Sequence, residues 1–271
     1  MKKTLALASA LLLAACGQAQ EGKPVTVIEF GENGETVTRK DAPAATPALA
    51  ADSACEQVTF EAVVLTHCIA DPGKHSIATV LGSPYRSFAG LAEARGDDLP
   101  VFAINGGMFD GEGKPIGYYV EGGNRTKELS TSDGPGNFHM KPNGVFYGTG
   151  SEWRIRTSEN FLASVSDRPQ FGTQSGPMLL IDGKLHPELT EDGPSRTIRN
   201  GVGIDRQGRA HFVISEGPIS FGKLARFFRD VADTPNALYL DGTVSGLWDP
   251  ASDRMDKGAP IGPIIVVERK K

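Results

Sequence analysis

Three cysteines, five histidines and no extended run of lysine or arginine set the first limits on this 271-residue chain. His67, His75, His139, His186 and His211 form no H-E-x-x-H and no i, i+4 pair, so the common zinc-protease patterns are absent. No serine, Ser175 included, sits in G-x-S-x-G, which removes the nucleophile elbow of the common serine hydrolases. The formal charge is −5, and an acidic chain without a basic run has no electrostatic footprint for nucleic acid. The apolar stretch at residues 4–15 is too short to span a bilayer.

What that stretch does fit is a secretory signal. Met1-Lys2-Lys3 is a short basic start, and Leu13-Ala14-Ala15-Cys16 reads as a bacterial lipoprotein signal, with small residues for the peptidase and a cysteine to be acylated. Gly17, in place of Asp, matches the outer-membrane sorting pattern. The expectation is a signal peptide at 1–15 and lipidation at Cys16. The mature protein then sits at the inner leaflet of the outer membrane, faces the periplasm and touches the membrane through its lipid anchor alone. Losing Lys2 and Lys3 takes the formal charge from −5 to −7. In that oxidising space Cys55 and Cys68 are left to pair as a disulfide. They enclose 68 − 55 − 1 = 12 residues, a loop whose closure is worth about 3 kcal/mol. His67 beside Cys68 keeps a metal or catalytic thiol as the rival reading.

Composition supports a real core, with 39% apolar residues, and 33 glycines exceed the usual share of about 7%. Glycine is costly to order and is retained where turns or close backbone approaches need it, so short strands with tight turns are expected. Residues 16–54 read as a lipid-anchored segment with one strand-like patch at 25–30 and an Ala/Pro/Thr spacer at 41–51. Residues 55–271 read as one domain. Stretches 58–66, 77–81, 237–240 and 261–267 read as strands, and 178–185 and 201–215 as hairpins, the first turning at Asp182-Gly183. Ser87 caps a helix ended by Gly96. Residues 220–231 form a second helix, whose Phe221, Leu224, Phe227, Phe228 and Val231 make an i, i+3, i+4 core stripe. Few helices and no βα alternation predict an α+β domain with a mixed, largely antiparallel sheet.

Polar residues flanked by glycine follow apolar runs at Asn105-Gly-Gly-Met-Phe109, Ser175-Gly-Pro-Met178 and Asp241-Gly-Thr-Val-Ser245; Arg199-Asn-Gly-Val-Gly-Ile-Asp205 is a fourth cluster. A polar group just beyond a buried strand is held rigidly, and adjacent glycine admits a ligand to the backbone. Each cluster alone reads equally as a turn. In this order, over residues 58–267, they resemble the phosphodiester glycosidase (NAGPA-like, uncovering-enzyme) family and its uncharacterised bacterial lipoprotein branch. The likeness rests on Ala103-Ile-Asn-Gly-Gly-Met-Phe109, Pro115-Ile-Gly117, Ser175-Gly-Pro-Met-Leu179, the Arg199 cluster and Ala237-Leu-Tyr-Leu-Asp-Gly242. One departure stands out: the family's Leu-Asp-Gly-Gly-Gly-Ser-like run is here Asp241-Gly242-Thr243-Val244-Ser245.

The resemblance implies a NAGPA-like fold and hydrolysis of a sugar joined through its anomeric carbon to a phosphodiester. That reaction needs a carboxylate beside the anomeric carbon and donors around the phosphate. Asp241 is the first choice of carboxylate and Glu216 the second. Arg199 would take the phosphate through its bidentate fork. Asn105 with the Gly106 and Gly107 amides would hold sugar hydroxyls or developing charge. Ser175, Gly176, Asp205, Gly242 and Ser245 complete the expected substrate contacts, with Trp248 stacking on a sugar ring. Asp249, Asp253 and Asp256 read as a solvated loop rather than a Ca²⁺ site, and no cofactor or metal is expected. The alternative function is a non-catalytic lipoprotein that binds an envelope glycan or a protein on the same fold.

Overall fold

The computed structural model describes residues 26–29, 38–41, 53–81, 85–149, 152–164 and 168–270. The signal peptide expected at 1–15, Cys16 and residues 42–51 of the expected 41–51 spacer lie outside the described residues. The chain forms two compact units, Met1–Ala48 and Leu49–Lys271. The first contains an antiparallel pair, β1 (Thr26–Glu29) and β2 (Thr38–Asp41). The second runs β3 (Cys55–Phe60), β4 (Val63–Ala70), β5 (His75–Val80), α1 (Phe88–Arg95), β6 (Phe102–Asn105), β7 (Tyr119–Glu121), β8 (Asn124–Lys127), β9 (Gly144–Thr149) and β10 (Glu152–Thr157). It continues with α2 (Ser158–Ser164), β11 (Phe171–Ser175), β12 (Met178–Ile181), β13 (Lys184–Leu185), β14 (Asn200–Ile204), β15 (Ala210–Ser215), α3 (Phe221–Asp230), β16 (Asn236–Tyr239), β17 (Leu247–Asp249), β18 (Arg254–Met255) and β19 (Ile264–Arg269).

The strands of this unit build three antiparallel sheets, ordered β13-β12-β16-β14-β15-β4-β3, β18-β17-β6-β19-β5 and β10-β9-β11-β7-β8. Side chains alternate across each strand, and here both faces are covered. Phe102 and Ile104 of β6, Phe212 and Ile214 of β15, Leu238 of β16, Phe146 of β9 and Ile265 of β19 meet in one central cluster. The opposite faces take the helices. Leu224, Phe227 and Phe228 of α3 pack on Val213, Ala237 and Tyr239, and Phe88 and Leu91 of α1 pack on Ala103, Trp248 and Val266. Phe161 of α2 meets Tyr118 and Tyr147 edge-on. The architecture is α+β and largely sheet, as expected.

Local rules explain the elements that the sequence announces. Ser87 Oγ accepts from Gly90 N at the start of α1, and Gly96 ends it at φ 59°. Ser220 Oγ accepts from Lys223 N at the start of α3. Val231, expected in the α3 stripe, is the C-cap and lies exposed. Asp182 and Gly183 take φ of 49° and 80°, the turn that Asp-Gly favours. The single strand read at 58–66 is instead a hairpin. Glu61 and Ala62 turn it at φ 45° and 63°, so β3 and β4 pair with Cys55 opposite Cys68, and a disulfide joins the two. The long stretch 119–175, where sequence reading placed no element, supplies the third sheet and α2.

Candidate functional site

Antiparallel pairing brings several chain ends to one edge of the sheets. β6 ends at Asn105, β14 begins at Asn200, and β16 runs out through Leu240 into Asp241. Asn105 is the junction. Its Nδ2 donates to the Asp241 carbonyl at 2.8 Å, and its Oδ1 accepts from Asn200 Nδ2 at 2.8 Å and from Gly246 N at 3.0 Å. Asn200 Oδ1 in turn accepts from Ser245 Oγ at 3.1 Å. Both amide side chains are buried, so this lattice fixes the 241–246 turn to two sheets. An aspartate at 105 could accept but could not donate to Asp241.

Asp241 caps a short 3₁₀ turn, Gly242–Val244, its carboxylate accepting from Thr243 N at 3.1 Å. Among the described residues it forms no ion pair. Burial pushes its carboxyl above the ordinary aspartate value, while the Thr243 N–H and hydroxyl pull the other way. Gly242 must be glycine, because a Cβ there would lie 1.7 Å from the Tyr239 hydroxyl. Arg199 donates to that hydroxyl at 3.2 Å, to the Ile219 carbonyl at 2.9 Å and to the Ser195 carbonyl and hydroxyl at 3.0 Å each. Its guanidinium carbon also lies 3.5 Å from the centroid of the Phe221 ring.

The structure therefore assembles Asn105, Asn200, Arg199, Asp241, Gly242 and Ser245, but it corrects several expected roles. The Gly106 and Gly107 amides are already engaged, by the Pro263 carbonyl at 2.7 Å and the Thr173 hydroxyl at 3.1 Å. Arg199 is only 1% exposed and most of its donors have protein acceptors, so no bidentate fork faces outward. One of those donors holds the Tyr239 hydroxyl. Ser175 is fully buried and its hydroxyl has no partner among the described residues, while Gly176 packs against Asn143 and Phe138. Trp248 lies in the α1-facing core, not in a cleft.

Asp205 is placed at the far end of the β14–β15 hairpin. Its carboxylate accepts from Arg209 Nε at 2.6 Å and His211 Nε2 at 3.0 Å, and His211 Nδ1 lies 2.8 Å from His67 Nε2. Glu216 does come to the same edge as Asp241. There its Oε1 accepts from Thr66 Oγ1 and Arg254 at 2.5 Å each, and Arg254 also pairs with Asp256. Asp249 is likewise occupied, by Ser53 and Ser252, apart from Asp256. Among the described residues no group of three or more His, Cys, Asp or Glu is placed to hold a metal ion.

A cleft of about 200 Å³ opens beside the turn, between residues 87–89 at the start of α1, the 243–246 turn and the 255–261 loop. Thr243, Phe88 and Lys257 are parts of this edge that sequence reading missed. Thr243 had a legible signal, the Asp-x-Thr spacing of a cap; Phe88 and Lys257 arrive from distant segments and had none.

Strand ends from separate sheets, locked by a buried amide pair, present Asp241, which has no ion pair among the described residues, on a turn whose residues 243–246 line a cleft; this defines a sheet-edge pocket protein. The phosphodiester glycosidase family model matches residues 99–267, and the chain belongs to that family. The uncharacterised protein YigE of Escherichia coli K12 is 35% identical over 180 residues, covering 66% of this chain and 70% of that protein. The fold is similar to that of the zebrafish N-acetylglucosamine-1-phosphodiester α-N-acetylglucosaminidase catalytic domain, auto-inhibited by its pro-peptide. The TM-score is 0.56 at 14% identity, with 84% of this chain and 86% of that one covered. A protein described as exported, from Burkholderia pseudomallei K96243, matches with a TM-score of 0.50 at 10% identity over 76% of this chain and 74% of its own.

Proposed function

We propose that this protein is a hydrolase that releases a sugar from a sugar-1-phosphodiester, with Asp241 as its working carboxylate. The observation that carries the reading is the state of Asp241. It is half-buried, without an ion pair among the described residues and raised in pKa, yet its backbone is held by Asn105 and its carboxylate by Thr243. A carboxylate raised in this way is a better base near neutral pH. It takes a proton from water as the water oxygen bonds to the anomeric carbon; the bond from that carbon to the phosphate oxygen breaks, and the phosphate keeps the electron pair. Such a leaving group departs without strong acid assistance, which fits a site where Glu216 is held by Arg254 and Thr66. The name of the zebrafish enzyme, which gives its substrate as a sugar-1-phosphodiester, supports the same class here.

The test is sugar release from a panel of sugar-1-phosphodiesters by the wild type and by Asp241→Asn in parallel. Turnover that survives the substitution overturns the assignment. The competing reading, binding of an envelope glycan without turnover, draws on the internal engagement of Arg199 and predicts binding intact in both proteins with no release. The envelope location rests on Leu13-Ala14-Ala15-Cys16. Cys16→Ser should move the protein from the membrane fraction to the soluble one, and unchanged fractionation would remove the anchor.

A further inference from the structure

The cleft beside the 241–246 turn contains more than hydrolysis needs. Its apolar walls are Phe88, Val244, Met255 and Ile261, all packed in the α1-facing core, with Lys257 on the rim. Ser87, Thr243, Ser245 and Asp256 also line it, but these are engaged by Gly90 N, the Asp241 carboxylate, Asn200 and Arg254 respectively. Phe88 reaches under the turn because Gly246 has no side chain; a Cβ there would stand 3.0 Å from the ring. Lys257 is exposed and has no acidic partner among the described residues. A volume of about 200 Å³ is below the ~300–1,000 Å³ of pockets that enclose a whole ligand, so this one takes a substituent.

The chemistry of that substituent follows from the walls. A sugar ring placed here would turn its hydroxyls toward apolar side chains and toward polar groups already engaged within the protein, and would lose hydrogen bonds it makes with water. An alkyl or aryl group would instead bury apolar surface against them. An ammonium on a flexible stem above an apolar floor suits a phosphate that carries a hydrophobic group. Resting on the hydrolase reading above, we infer that this cleft is the aglycone subsite. It takes an apolar substituent of the phosphodiester, with Lys257 at the phosphate and Val244 as the wall that sets the preference. Val244 belongs to the run that departs from the family's glycines, and a glycine there would leave that wall open.

The experiment compares kcat/KM for sugar-1-phosphodiesters that share a sugar and differ in aglycone: glycerol, methyl, butyl and benzyl. Butyl and benzyl should exceed glycerol by roughly tenfold, the scale on which apolar pockets discriminate. Val244→Gly and the shape-preserving Val244→Thr should both shrink that ratio. Lys257→Gln should raise KM across the series. A second arm measures binding of phenyl phosphate and inorganic phosphate to the Asp241→Asn protein by calorimetry. Tighter binding of phenyl phosphate, weakened by Val244→Thr, supports the cleft even where no substrate turns over, in which case only the hydrolase reading falls. Turnover without aglycone preference, or equal binding of the two phosphates, overturns the cleft assignment and leaves the hydrolase reading standing.

Discussion

Two aspartates at opposite ends of the same sheet show how position decides chemistry. Asp205, at the turn of the β14–β15 hairpin, is enclosed with Arg209, His211 and, through His211, His67. Burial opposes its charge, but the hydrogen bonds from His211 and Arg209 prevail and its carboxyl lies below the ordinary value. Asp241, where β16 runs out, has no cation beside it among the described residues, and burial holds its carboxyl above the ordinary value. One carboxylate is locked into its charged state as structure; the other is left able to exchange a proton. A saturated acid supports a fold, whereas an unsaturated one held by its backbone can do chemistry.

The sharpest way to break that comparison is to neutralise each acid. Asp241→Asn should lower kcat by about 10²–10⁴-fold, the range for a lost acid–base group, with the fold retained in circular dichroism. Asp205→Asn should leave kcat near wild type and destabilise the protein by on the order of 2–3 kcal/mol, read by urea titration. The reverse pattern would exchange the roles assigned to the two ends.

Next in size is the lattice that holds Asp241. Asn105→Ala strands the Asn200 amide, the Gly246 N–H and the Asp241 carbonyl, a loss of about 3 kcal/mol or more in chemical denaturation. Wild-type stability in that variant would show that the lattice is not needed to fix the edge.

The far end has its own signature. Burial, then the charges of His211 and Arg209, lower the His67 pKa to about 4. An unfolded histidine titrates near ~6.5, so the unfolded chain takes up the proton first as pH falls. Stability present above that value is therefore lost between about 6.5 and about 4. The Tm of the wild type should fall across this window, and His67→Gln should flatten the fall.

The smallest effect is also the most diagnostic for the Asp241 edge. Thr243→Gly removes the hydroxyl that helps hold the Asp241 carboxylate charged, so the acidic limb of the pH–rate profile should move to higher pH. A limb that does not move would place the working carboxylate elsewhere.

How legible this was differs between the scaffold and the edge. Helices α1 and α3 were readable because serine caps and spaced apolar residues are local signals. The β3–β4 hairpin was not, since Glu61-Ala62 turns through left-handed backbone without the usual Gly or Asn. β10 was readable in principle: Trp153 and Ile155 are buried while Arg154 and Arg156 alternate outward. Asn105 and Asp241 stood out because a polar residue followed a buried run. The engagement of Gly106 and Gly107 was invisible, because their partners, Pro263 and Thr173, are remote in sequence. Trp248 misled through its nearness to Ser245. Alternation along β17 sends Leu247 into the central cluster and Trp248 toward α1.

The Cys55–Cys68 bond also has a mechanical meaning. β3 is the edge strand of its sheet, and its pairing with β4 is open at the Cys55 end, where the preceding chain joins. Tension on that chain would otherwise peel β3 away one rung at a time, the weakest direction in which to load a hairpin. The disulfide bypasses those rungs and delivers the pull to β4, a strand bonded on both sides, by β3 and β15. The domain can thus be tugged by its leading segment without unravelling from the point of attachment.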